Sequence, residues 1–282
     1  MISQECLPHA FDAIASEYDR RFTDTSIGRA QRKPVWNIAR EVFSTGSRLL
    51  ELNCGTGVDA LFLAGLGMQI VALDQSSRMI EVAKERAGKS QLASQLRFVT
   101  WDIEQLDRFE DRAGFQGVFS NFGGLNCVPD LSKLSKDLAS LIRPGGRALI
   151  CILSKYCLWE VVYFACQFQF RKAFRRWPSS GSLWNTQTST IRVWYPSVQE
   201  MKRFMLPHFR YLNHCAVGLT VPPSYLEGWM QRHEKLLTAA CRFDRIASGV
   251  PGLRNLGDHC CMLFERAPED PAVRSASLCR TK

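Results

Sequence analysis

The sequence predicts an α/β domain built on a doubly wound, mostly parallel sheet. Short apolar runs that suit buried strands alternate with segments periodic at helical spacing from Arg48 to Leu153. Glycine and proline punctuate the joins, at Gly55, Gly57 and Pro144-Gly145-Gly146. Acidic residues recur where strands end, at Asp74 and Asp102. Such alternation means β-α-β units with helices on both faces. In these sheets ligands bind beyond the carboxyl ends of the strands, where all the motifs below fall.

Arg48 to Asn53 reads as a short buried strand that runs through Cys54-Gly55-Thr56-Gly57 into a helix from Val58 to Ala64. Gln69 to Leu73 is a second strand closed by Asp74, and Ser76 to Ala87 is helical, with Met79, Ile80 and Ala83 on one face. Leu96 to Thr100, Gly117 to Ser120 and Arg147 to Leu153 complete five strands, and Leu131 to Leu141 is a helix between the last two. The rhythm then changes. Trp159, Tyr163, Cys166, Phe170, Phe174 and Trp177 recur at three- and four-residue steps, which predicts one long helix over Tyr156 to Trp177. Thr190 to Tyr195 reads as a strand. Ser197 to Met205 reads as a helix with a capping box to Glu200. Phe209 to Leu219 is extended, Pro222 to Ile246 mostly helical, and His259 to Glu265 a final strand. Residues 268–282 are polar and read as a disordered tail.

The 282 residues suffice for one large domain with a modest insertion. The 11 cysteines form no C-x-x-C pair, so they are expected to be reduced thiols, with no metal site. No segment is apolar enough to span a membrane and Met1 to Ala10 is no secretory signal, so a cytoplasmic location is expected. The net charge of +9 is spread along the chain. Its one tight cluster is Arg171, Lys172, Arg175 and Arg176, and no nucleic-acid partner is expected.

The strongest local signal is Glu51-Leu52-Asn53-Cys54-Gly55-Thr56-Gly57. A glycine-rich turn between strand and helix lets a ligand approach the backbone and meet free N–H groups. Gly55, Gly57 and Ala60 also fit the dinucleotide fingerprint G-x-G-x-x-A, with Asp74 placed to hold a ribose. A nicotinamide-dependent oxidoreductase is therefore a rival on these residues, although no Tyr-x-x-x-Lys pair accompanies them.

Glu51 ahead of the turn, Asp102 after the third strand and Pro144-Gly145-Gly146 before the fifth together resemble the class I (Rossmann-like) S-adenosylmethionine-dependent methyltransferases, of the small-molecule, type 11-like bacterial group. Asn53 stands where the family motif has its first glycine, and asparagine tolerates left-handed backbone. The resemblance implies a seven-stranded sheet with an antiparallel last strand and a helical cap insertion. It implies that Gly55 and Gly57 lie against the methionine and ribose of S-adenosyl-L-methionine, that Asp74 accepts the ribose hydroxyls, and that Gln75 and Met79 flank the adenine. It places Asp102 at the adenine amino group with Ile103 beside the ring, and Asn121 and Phe122 beside the transferable methyl. Phe11 to Asp19 resembles the leading helix of ubiquinone/menaquinone-type methyltransferases, which makes Tyr18 a lid candidate. Arg29 or Arg32 could pair with the cofactor carboxylate.

The implied organisation is a single domain over 1–267. Its cofactor half spans about 11–153, the cap about 155–183 and the substrate-side half about 184–267. The implied acceptor is a small hydrophobic or aromatic molecule, with the methylated atom open. His208, His214 and His259, and less so His233, are the candidates for a general base. Two further readings stay open: a non-catalytic protein that binds S-adenosylmethionine, and a peripheral membrane contact by the aromatic and basic segment.

Overall fold

The structure, a computed structural model, describes residues 11–112, 114–185 and 190–268. Arg48–Leu52 (β1), Gln69–Asp74 (β2), Leu96–Thr100 (β3), Phe115–Ser120 (β4) and Ile142–Leu153 (β5) pair in parallel. A hairpin follows, Ser182–Asn185 (β6) with Thr190–Val193 (β7). Phe209–Val217 (β8) and His259–Arg266 (β9) complete the main sheet in the order β3-β2-β1-β4-β5-β9-β8. Only β9 runs against its neighbours, β5 and β8. This is the doubly wound, mostly parallel sheet that the sequence pattern predicts, with the seven strands and antiparallel last strand that the resemblance implies.

The helices of eight residues or more are Ser26–Val42 (α1), Val58–Gly65 (α2), Ser77–Gly88 (α3), Leu131–Leu141 (α4), Leu158–Ala165 (α5), Val198–Met205 (α6) and Glu234–Ala247 (α7). Side chains alternate across each strand, so two cores form. Leu49, Ile70, Ala72 and Phe119 meet α1, α2 and α3 on one face. Leu50, Leu52, Val71 and Val118 meet α4 and α6 on the other. Strands covered on both faces must be apolar nearly throughout, which is why they are legible as short apolar runs. Caps fix where helices begin. Ser76 accepts from the Met79 N–H at 3.1 Å, and Ser197 and Glu200 form the expected capping box.

One expected element is absent. The chain over Tyr156 to Trp177 is not one helix: α5 ends at Ala165, and Phe168 turns the backbone to φ +58° before a short helical turn at Phe170–Ala173. Two constraints break it. Trp159 and Tyr163 pack inward, with the Trp159 indole donating to the Thr220 carbonyl at 2.9 Å, while Phe170, Phe174 and Trp177 face solvent. The chain must also reverse so that Arg175 and Arg176 return to Glu160. The expected strand at Thr190 is one arm of the β6–β7 hairpin, whose first arm went unread. Of the expected tail, residues 269–282 lie outside the described residues.

The return of Arg176 welds this segment to the sheet. Its guanidinium donates to Glu160 at 2.8 Å and to Asp258 at 2.7 Å, and to the main-chain carbonyls of Ser154 and Asp258. All three charged groups are buried. Burial would raise the Asp258 carboxyl, but His259 and Arg176 outweigh it and hold the group below the ordinary carboxylate range. The basic cluster is thereby divided: Arg176 is buried and Arg175, though exposed, is paired with Glu160, whereas Arg171 and Lys172 are exposed. Removing one partner of a buried ion pair strands the other charges, so Arg176→Ala should cost about 3–5 kcal/mol. Urea denaturation of the variant beside the wild type checks this.

Candidate functional site

Strand β1 ends in three consecutive constraints. Asn53 adopts φ +52°, the left-handed conformation that lets it stand in a glycine's place. Its side chain lies against Gly124 in the loop after β4, where a Cβ would come within 2.4 Å of the Asn53 Cβ. Gly55 at φ +53° faces open space, so the turn presents bare backbone outward. Gly57 at φ +75° is instead closed in: a Cβ there would meet Ala83 at 2.8 Å and Phe98 at 2.9 Å.

Asp74 holds this turn. One carboxylate oxygen accepts the Gly55 N–H at 2.8 Å and the other the Ser76 N–H at 2.9 Å, tying the end of β2 to the end of β1. Glu51, Asp74 and Asn121 lie on one face of the sheet by strand alternation. Asp59 from α2 and Arg32 from α1 complete a buried polar cluster above the apolar core of that face. Arg32 forms an ion pair with Asp59, which also accepts from the Trp36 indole at 2.5 Å and from the Asn121 amide at 3.2 Å. The Arg32 guanidinium lies 4.6 Å over the Phe122 ring.

Within this cluster Glu51 stands out. It is buried, and its Oε2 has no hydrogen-bond partner. Burial, then the nearby Asp59 and Asp74 carboxylates, push its carboxyl well above the ordinary range, with Arg32 opposing. The Asn53 Oδ1 is likewise buried and unpartnered. Buried acceptors left unsatisfied are costly and call for a donor or a cation.

A helical run covers the turn. Asp12–Ile14, Ala15–Tyr18 and Asp19–Thr23 follow one another as successive short helices. Ser76 donates to Asp12, Thr56 donates to Asp19 at 2.7 Å, and Arg86 bridges Asp19 to the Thr56 carbonyl. Tyr18 packs with Ile14, Ala15 and Met79, and burial raises its phenol above the ordinary range while Arg32 opposes.

The other expected residues fall in different places. Gln75 is exposed beside this cluster. Asp102 caps the turn that follows β3, accepting from the Glu104 N–H at 2.9 Å, and Ile103 is buried in the apolar core of the opposite face. Phe122 adopts φ +51° and meets His259 edge-on at 5.1 Å. His259 is buried at the top of β9, with Nδ1 3.4 Å from Asp258 and without a hydrogen bond. Burial lowers its imidazole below the ordinary range although Asp258 opposes, so it is neutral near pH 7. The other candidate histidines lie elsewhere. His208 precedes β8 at the opposite end of the sheet, His214 has both ring nitrogens engaged by Tyr211 and Asn255, and His233 is exposed. Arg29 bonds the Asp24 carbonyl.

Reading the sequence missed Asp59, Asp12 and Asp19. Asp59 looked like an ordinary acid in a first helical turn, and Asp12 and Asp19 were visible only as acids seven residues apart in a helical run. Among the described residues no group of three or more metal-ligating side chains forms, and no helix is long and apolar enough to cross a membrane. The sheet order also separates this chain from the dinucleotide-binding rival, whose order is 3-2-1-4-5-6, without an antiparallel strand inserted beside the fifth.

Residues 49–146 match a protein family described as a methyltransferase domain. The chain is 36% identical over 147 residues to a demethylmenaquinone methyltransferase of Clavibacter sepedonicus, covering 51% of this chain and 56% of that one. It is 29% identical over 224 residues to a ubiquinone/menaquinone biosynthesis C-methyltransferase UbiE of Geotalea uraniireducens, covering 74% and 90%. The chain thus spans little more than half the length of the first of these relatives. Among solved structures it is similar to the DhpI complex with SAH, at 18% identity and a TM-score of 0.57 over 92% of this chain and 94% of that one. It is also similar to geranyl diphosphate C-methyltransferase of Streptomyces coelicolor A3(2), at 15% identity and a TM-score of 0.53 over 84% and 79%. At these identities the likeness shows the fold.

The geometry of the turn yields one prediction. Gly57→Ala forces a Cβ into Ala83 and Phe98 at a left-handed backbone and should destabilise the chain by about 2–4 kcal/mol. A thermal melt of the purified variant reads this, and an unchanged transition would overturn it.

Proposed function

We propose that this chain, whose residues 49–146 carry a methyltransferase domain on the class I Rossmann-like fold, transfers a methyl group from S-adenosyl-L-methionine to a small apolar acceptor of the quinone type. The observation that carries the reading is the pair of buried, unpartnered acceptors, Glu51 Oε2 and Asn53 Oδ1, beside the open backbone of Gly55. A ligand bearing a cationic amine and hydroxyl donors satisfies both. The acceptor class follows from the quinone-type substrates in the names of the relatives.

When bound, the cofactor supplies a methyl group on a positively charged sulfonium, so the leaving group is already activated. The residues that would hold it are Glu51 and Asn53 at its amino-acid end, Gly55 and Gly57 along the backbone, and Asp74 at the ribose. Gln75, Met79 and Asp102 would surround the adenine, whereas Ile103, which the resemblance sets beside the ring, is buried in the core of the opposite face. Asn121 and Phe122 would border the methyl, and Tyr18 would close the site from above. Arg32 pairs with Asp59 and ties α1 to α2 across the cluster. The helical run from Asp12 to Thr23 excludes water, which strengthens each electrostatic contact beneath it.

In the reduced, quinol form of such an acceptor a ring hydroxyl must lose its proton before its oxygen or the ring carbon beside it becomes a strong nucleophile. His259 is the group placed for that role. It is neutral, lies against Phe122 at the end of the sheet, and faces Asp258, which stabilises the charged imidazolium. The segment from Lys155 to Leu183 forms the cap on the acceptor side, anchored through Arg176. Burial of catalytic groups beneath that cap keeps competing water away.

Calorimetric titration with S-adenosylhomocysteine and with NADH tests the cofactor. Binding of the first alone is expected, and binding of NADH alone would overturn the reading. Because the raised carboxyl of Glu51 holds its proton above the ordinary carboxylate range, a cationic ligand must displace that proton. Affinity should therefore fall as pH is lowered from neutral through the raised range, with proton release on binding, and Glu51→Gln should flatten the dependence. In the ligand-free chain the same shift has the opposite sense: stability declines as pH rises from the ordinary value of Glu51 towards its raised one. His259→Asn should lower kcat by about 10²–10⁴-fold with cofactor affinity kept. Loss of cofactor binding in a folded variant would instead make His259 structural.

A further inference from the structure

We infer that the aromatic and basic knuckle Phe168–Lys172 docks onto an anionic lipid surface. Phe168 is 83% exposed and Phe170 55%, and Val162 on the preceding helix is 50% exposed. Large apolar side chains at such exposure on one short stretch mark an interaction site. Phe168 also holds φ +58°, a conformation that a bulky residue adopts only under constraint. Its N–H bonds the Ala165 carbonyl at 2.9 Å, and the Gln169 N–H bonds the Phe164 carbonyl at 2.9 Å, so the turn is locked with the ring held outward.

The charge around it selects the partner. From Lys155 to Leu183 the only acidic residue is Glu160, and it is buried against Arg175 and Arg176. What the knuckle shows to solvent is therefore aromatic and cationic, with Arg171 and Lys172 exposed and the Lys172 ammonium 5.7 Å over the Phe164 ring. Aromatic rings entering the headgroup layer beside lysine and arginine are the signature of interfacial binding to anionic lipid. A second copy of the chain is disfavoured, because a two-fold contact would set the same cations against each other. The segment 269–282 is disfavoured for the same reason: it carries Arg274, Arg280 and Lys282 against Glu269 and Asp270.

The inference stands on this surface alone and does not require methyl transfer. Its connection to the site is physical, since Arg176 ties the knuckle segment to Asp258 beside His259. A bilayer held there would present apolar molecules to the acceptor side.

Sedimentation of the full chain with sucrose-loaded vesicles tests it, using phosphatidylcholine alone and phosphatidylcholine with about 30% phosphatidylglycerol, the charge density of a strongly anionic membrane. Binding to the anionic vesicles should be at least about tenfold stronger and should weaken with salt. Phe168→Ser with Phe170→Ser should weaken it about tenfold or more, with an unchanged melt because neither ring is buried. Arg171→Gln and Lys172→Gln should each weaken it about fivefold. Absence of wild-type binding to anionic vesicles, or serine variants that bind as well as the wild type, would overturn the inference. So would a dimer in light scattering that the serine variants dissociate, which would assign the knuckle to a second copy.

Discussion

The bond from the Gly55 N–H to the Asp74 carboxylate joins the ends of β1 and β2 and fixes the shape of the turn between β1 and α2. The two strands are already in register, with Glu51 opposite Ala72 and Leu52 opposite Leu73. The Cys54 N–H, which bonds the Leu73 carbonyl at 2.9 Å, and the Asp74 carboxylate both extend that pairing past Leu52 into the turn. Three left-handed residues, Asn53, Gly55 and Gly57, then follow within five positions. Each carries a different constraint. Asn53 meets Gly124, Gly55 faces open space, and Gly57 is sealed by Ala83 and Phe98. The turn is therefore rigid at both ends and exposed only in the middle, where a ligand can meet backbone.

The electrostatics above the turn follow from what the sheet can pair. Asp59 has Arg32, Trp36 and Asn121, so its charge is satisfied within the protein. Glu51 sits in the same cluster, but one of its oxygens is left without a partner, and its carboxyl is pushed upward by burial and by the carboxylates nearby. Of these two buried acids only Asp59 has a cation bonded to it. The paired acid is held within the protein, and the unpaired one is the group proposed above to meet the cofactor.

Two elements outside the repeating β-α-β pattern close the site, and both are held by polar links rather than by large apolar faces. The helical run from Asp12 to Thr23 is fastened by Asp12 and Asp19 to Ser76, Thr56 and Arg86. The segment after β5 is fastened by Glu160, Arg176 and Asp258. Polar fastening suits parts that must fit over a bound molecule, since hydrogen bonds and ion pairs fix position with little buried apolar area. The same fastening explains why the exposed rings beyond it, Phe168 and Phe170, stay out of the core.

The sequence by itself determined the strands of the main sheet, the glycine turn and the acids at the strand ends. Those features are local: an apolar run covered on both faces, a left-handed turn and a cap are written in residues a few positions apart. Asn53 in place of a glycine was readable for the same reason, because backbone tolerance belongs to the residue itself. The long helix over Tyr156 to Trp177 misled because aromatic periodicity shows which residues could share a face, not whether a core exists beneath it. Only the tertiary structure decided that Arg32 meets Asp59 across 27 positions, that Arg176 meets Asp258 across 82, and that His259 rather than His208 or His214 stands beside Phe122. Those meetings depend on the strand order, with β9 inserted between β5 and β8, and no short-range pattern encodes which strands become neighbours.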